Sequence, residues 1–370
     1  MMTHTITVQM TPDDFMPPFS DIVAELLADG KVLYESLRAE MPASSRGKDL
    51  TIEVVNDGTL NASATSRDDG YIIQINRGAL QHIYGAAFGL CCCPGFLPSV
   101  GNAAGEMEPK IEAGGFPPMP LTEGMDVAKV LVPETESRGT IAYLLADVAT
   151  YFLLYHEIGH IVGGHLEALN ARSGTTASIS EYSVTKRSTE DVSLLHAFEC
   201  DADAFACHVS MGLLTGKAMA EEVRHLMQRQ AWPPEDCAFI TILTAVSMLF
   251  RLLYPTAPAT IDATRGTHPH PAVRDFVVGS CALARGMARG QLSVEKVDQV
   301  LEYSVRNVEE VWAKRYLGGQ ALASPAVWVA DIQRGVDELF AIHSKYVDLL
   351  EQHSHVPRSW HDWKWPWSGP

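Results

Sequence analysis

From Ile141 to Leu166 the chain contains no proline, is rich in leucine and alanine ahead of its polar part, and predicts one long helix. Set into it is Tyr155-His156-Glu157-Ile158-Gly159-His160, an HExxH sequence. A helix this apolar needs burial over most of its surface. Two imidazoles and a carboxylate on such a helix therefore call for chemistry that compensates them. His156 and His160 stand four residues apart, project from one side, and can together hold one zinc ion. Glu157 follows about 100° round the helix, near enough to hold a metal-bound water without being a ligand.

A catalytic zinc site takes a third protein ligand and leaves its fourth position to water. The candidate lies in His196-Ala197-Phe198-Glu199-Cys200-Asp201-Ala202-Asp203-Ala204-Phe205-Ala206. Glu199 and Asp203 are four apart and share one helix face, while Ala202, Ala204 and Ala206 allow close approach to the HExxH helix. Glu199 can then complete the site, and Asp203 can accept the outer N–H of a ligand histidine, fixing its ring. The rival readings are a hydrogen-bonded histidine pair and a carboxylate salt-bridge network. His165 lies five residues after His160, about 140° round a regular helix. It would have to leave the helix at Gly163-Gly164, so we read it as structural or cleft-lining. Cys200 and Cys207 read as buried packing.

This combination resembles a family. HExxH followed by ExxxD on a second helix is the gluzincin pattern, similar to the group containing the CAAX prenyl proteases and the HtpX-type heat-shock peptidases. There the first motif often reads HELGH with a further His, as His156–His160 and His165 do here. The second commonly reads EFxADxFA, matched by Glu199 to Ala206. A third pairs His-Pro with a downstream Arg, as in Thr267-His268-Pro269-His270-Pro271-Ala272-Val273-Arg274. The resemblance covers roughly residues 140–280, and it departs from relatives that are mostly membrane-embedded or exported. It implies a zinc metallopeptidase, an endopeptidase acting on a peptide or protein, with one zinc ion per chain. His156, His160 and Glu199 would be the ligands, Glu157 the general base and Asp203 the support of a ligand. His268 would lie near the open metal position. His268 or Arg274 could stabilise the oxyanion, or His268 could close the fourth position as a latch; the sequence leaves these open. A looser resemblance to Lit-type phage-exclusion peptidases keeps a triggered defence role in view, with an activating or inhibiting protein partner. A binding protein that holds zinc without turnover is the alternative from another class.

The formal net charge of −17 argues against nucleic acid as the main partner and gives no reason to expect an anionic membrane. Seven cysteines, an odd number with Cys91, Cys92 and Cys93 consecutive, make a poor disulfide framework. A reducing, cytoplasmic setting is expected, since Met1-Met2-Thr3-His4-Thr5 does not open a secretory signal. Cys237 to Tyr254 is apolar enough to be weighed as a membrane span, but Arg251 and its short length favour a buried core helix.

The predicted class is α+β: a mainly helical, zincin-like catalytic core preceded by a small antiparallel β-meander. Residues 4–10 alternate like a strand and Phe19 to Glu40 like an amphipathic helix. The meander comprises Leu50–Val55, Leu60–Ser66 and Tyr71–Asn76, with Asn56-Asp57-Gly58-Thr59 as its first hairpin turn. Its last strand is a candidate edge for an extended peptide. A Pro/Gly-rich stretch from Pro94 to Gly124 reads as a lid or linker. The Ser/Thr-rich region 173–188 reads as irregular, ending in a helix N-cap at Ser188. Helices are expected near 216–230, 234–254, 272–289, 293–315 and 325–352, with a loop from Pro255 to Thr267. The Trp-rich tail at 360–367 reads as packing back on the chain. The boundaries drawn are 1–125 for an N-terminal α/β region, 126–290 for the peptidase core and 291–370 for a C-terminal helical region.

Overall fold

A computed structural model of the chain describes residues 18–107, 119, 131–173, 178–180, 188–229, 231–253, 268–291, 294–316 and 325–356. The strand expected at 4–10, the loop at 255–267, the tryptophan-rich tail and much of the Pro/Gly-rich segment lie outside these residues.

The fold is α+β and mainly helical. Helix α1 (Phe19–Arg38) and the short α2 (Ala43–Arg46) lead into β1 (Asp49–Val55), β2 (Ala62–Ser66) and β3 (Gly70–Asn76). Then follow α3 (Arg77–Cys91), α4 (Glu136–Val162), α5 (His165–Ser173), β4 (Ser178–Ser180) and α6 (Thr189–Leu214). The remaining helices are α7 (Lys217–Leu226), α8 (Pro234–Leu253), α9 (Pro271–Ala288), α10 (Val294–Tyr316) and α11 (Pro325–His353). The expected helices after Met211 are all present. Helix α3 and strand β4, which lies inside the Ser/Thr-rich region, were not anticipated.

The sheet corrects the expected meander. Its order is β1-β3-β2-β4, with β1 parallel to β3 and β2 antiparallel to both β3 and β4. After β1 the chain passes the end of β3, using the Asn56–Thr59 turn, in which Asp57 Oδ1 accepts the Thr59 N–H at 2.8 Å. It returns as β2, and β3 then enters between the two. The reason is burial. Six of the seven β3 residues are buried, as suits a strand covered on both faces, whereas β1 has only two. Thus β3 is central and cannot be the free edge proposed for an extended peptide.

One contiguous apolar core runs from Ile22 in α1 to Val356 after α11. At its centre lies α4, which packs on α3, α6, α8 and the sheet. Every residue from Cys237 to Leu253 in α8 is buried. Both α4 and α8 are long and apolar enough to cross a membrane, and both spend that surface on other helices. A Cβ built on Gly159 of α4 would lie 3.1 Å from Ala202 Cα and 3.2 Å from its carbonyl oxygen in α6. Glycine facing alanine is what brings these two backbones together.

A second correction concerns the end of the motif helix. It stops at Val162 and does not continue to Leu166. Gly164 adopts φ +70°, and α5 starts afresh at His165. The end of α11 is packed against this break: the His355 N–H donates to the Val162 carbonyl at 2.8 Å, and a Cβ on Gly164 would meet His353 O at 1.8 Å.

Candidate metal centre

Helix α4 presents His156, Glu157 and His160, and α6 presents Glu199 and Asp203 opposite them. His268 and Arg274 come from the entry into α9, where His270 serves as N-cap and Pro271 occupies the first turn. All seven side chains are buried. One ligand atom each from His156, His160 and Glu199 lies within 4.8 Å of the other two. The two Nε2 atoms are 3.0 Å apart, and the Glu199 carboxylate approaches them at 3.4 and 3.5 Å.

The outward nitrogens are held as well. His156 Nδ1 is 2.9 Å from Asp203 Oδ1, the arrangement expected of Asp203. With Nδ1–H donating to this carboxylate, Nε2 turns its lone pair inward. His160 Nδ1 is 2.9 Å from His165 Nδ1, and His165 Nε2 is 2.9 Å from Asp201 Oδ2.

Arg274 is turned toward Asp203. Its Nε and Nη2 lie 2.8 and 2.7 Å from the two oxygens of Asp203, and its guanidinium sits 4.5 Å over the Phe250 ring. Burial pulls the Asp203 carboxyl upward, but Arg274, helped by His156, outweighs it and holds the group below the usual carboxylate range. Arg274 is thus committed to Asp203 by a two-pronged ion pair, with a longer approach of 3.6 Å to Glu199. His268 Nε2 lies 3.5 Å from Glu199 Oε1, beside the ligand cluster. Cys207 is packing: burial pushes its thiol up to about 12, and its Sγ points at the Val278 carbonyl.

The buried His156, His160 and Glu199 group could hold a metal ion. The donor set suits one, because Glu199 Oε2 is a buried carboxylate oxygen with no hydrogen-bond partner among the described residues. The pairing of His165 with Asp201 was not assigned in advance. Its sequence signals are the Gly163-Gly164 break, which re-aims His165, and a third acid standing between Glu199 and Asp203.

Comparison of the chain with protein-family models, with curated proteins and with solved structures finds no match.

Proposed function

We propose that the chain is a zinc-dependent peptidase whose metal is held by His156, His160 and Glu199. The observation that carries this reading is the convergence of two imidazole nitrogens and a carboxylate at one buried point, with the buried Glu157 next to His156 in the chain. Two histidines and a glutamate form a donor set of catalytic zinc sites, which keep a position open for the reaction. Zinc supplies Lewis acidity there, polarising a carbonyl and acidifying water. Glu157 takes the proton of the attacking water and delivers it to the leaving amine. Asp203 orients His156, and Arg274 keeps Asp203 charged. His268, beside Glu199, is the candidate donor to the developing oxyanion. A peptide bond as the target follows from the resemblance of the three motifs and their order.

Glu157→Gln tests this directly. The variant should keep one zinc per chain and lose hydrolysis by about 10²–10⁴-fold, while Glu199→Gln should lose zinc. Retained hydrolysis in Glu157→Gln, or a folded wild-type chain that takes up no zinc, would sink the proposal.

Burial favours a second reading. His156, Glu157, His160 and Glu199 are each 1% exposed and His268 4%, which suits a protease held shut until a trigger opens it. Zinc-loaded chain that cleaves a peptide library only after a partner is added supports that reading; turnover without one removes it.

A further inference from the structure

Two carboxylates serve the two histidines of the centre, but they do so differently. Asp203 touches His156 directly, whereas Asp201 reaches His160 through a second imidazole. The His165 ring between them is fully buried and stacked on Phe198, with centroids 4.5 Å apart and planes 9° from parallel. Its position depends on the break after α4: a helix continued past Val162 would carry residue 165 round to another face.

With both rings neutral, Asp201 ionised and a metal ion taking the lone pairs of the two Nε2 atoms, which lie 3.0 Å apart, the protons across this chain of groups have one arrangement that suits metal binding. An N···N contact of 2.9 Å between neutral imidazoles holds a single proton, belonging to one ring or the other. If His165 supplied it, its Nε2 would turn a lone pair onto the Asp201 carboxylate 2.9 Å away, which is repulsive. If His160 supplies it, His165 Nε2–H donates to Asp201 and His160 Nε2 presents its lone pair toward His156 and Glu199. Only the second arrangement makes His160 a ligand. The Asp201 charge, passed through His165, selects it.

We propose that His165 and Asp201 are positioning residues, an Asp201–His165–His160 relay that fixes the ring and tautomer of His160 for metal binding. The proposal rests on the metal centre described above and deepens it, assigning His165 a task that neither ligation nor plain packing covers.

The test uses the full chain. Zinc affinity is measured by chelator competition for wild type, His165→Phe, Asp201→Asn and the double variant, alongside the ¹⁵N shifts of the zinc-loaded histidine rings. Phenylalanine keeps the stack on Phe198 and removes the acceptor. Asparagine keeps the size and offers an amide N–H that favours the wrong tautomer. Each single variant should weaken zinc by about 10–100-fold, and the double variant should be no weaker than His165→Phe, because in the relay Asp201 acts on His160 through His165. His165→Gln, which restores an acceptor, should recover part of the affinity. In the wild type, His160 should carry its proton on Nδ1. Unchanged affinity in a folded His165→Phe, additive losses in the double variant, or a proton on His160 Nε2 would each overturn the relay. A wild-type chain that is folded but binds no zinc defeats the metal centre itself; wild-type binding with a neutral His165→Phe defeats the relay alone.

Discussion

Arg274 and Asp203 form a buried ion pair whose removal should read as lost stability before it reads as lost chemistry. Both side chains are 2% exposed or less, and two contacts of 2.7 and 2.8 Å join them. Arg274→Met keeps an apolar stem against Phe250 and leaves the Asp203 charge buried with only His156 to answer it. Breaking one side of such a pair costs about 3–5 kcal/mol, against about 0.5–2 kcal/mol for the lost cation–π contact. The uncompensated charge therefore dominates. Asp203→Asn should cost less than Arg274→Met, because the guanidinium keeps its 3.6 Å approach to the Glu199 carboxylate. In the double variant neither charge remains, and most of the loss should return, giving a coupling energy of several kcal/mol. Urea unfolding with a chelator present reads these terms without metal linkage. The reasoning fails if Arg274→Met loses less than about 1 kcal/mol or if the two single losses add. A stable Arg274→Met variant whose hydrolysis alone collapses would return Arg274 to the reaction itself.

Two further predictions concern α4 and the break behind it. Burial, with Glu25 and Asp29 nearby, pushes the Asp147 carboxyl up to about 7 from 3.8. The folded state then holds a proton that the unfolded state releases, so the contribution of this group to stability is fully present below about pH 4 and is lost as pH rises toward 7. Asp147→Asn should remove that fall. Its ceiling is about 4 kcal/mol, reduced to about 1–3 kcal/mol because water still reaches the group, and parallel pH–stability curves for variant and wild type would contradict it. Gly164→Ala should cost about 3 kcal/mol or more, combining about 1–2 kcal/mol for a left-handed alanine with overlap on His353. Hydrogen exchange at the His355 amide should accelerate with it; unchanged protection and stability would mean that the end of α11 does not depend on this glycine.

How far the sequence reached can be judged from particular residues. His156, His160, Glu199 and Asp203 were legible because helical spacing is local: residues four apart share a face, whatever the rest of the chain does. The helices after Met211 were legible for the same reason. Local spacing misplaced β3, although Tyr71-Ile72-Ile73-Gln74-Ile75 already carried the apolar run of a strand covered on both faces.

The sequence by itself determined which elements form and which side chains each one offers to a common face. Only the tertiary structure decided which of those side chains meet. It gave Arg274 to Asp203, turned His165 behind His160 at the Gly163-Gly164 break, and put β3 between β1 and β2. The physical reason is that a buried charge or ring proton must find its counterpart wherever packing places one. That placement depends on helices and strands distant in sequence, which no local spacing encodes.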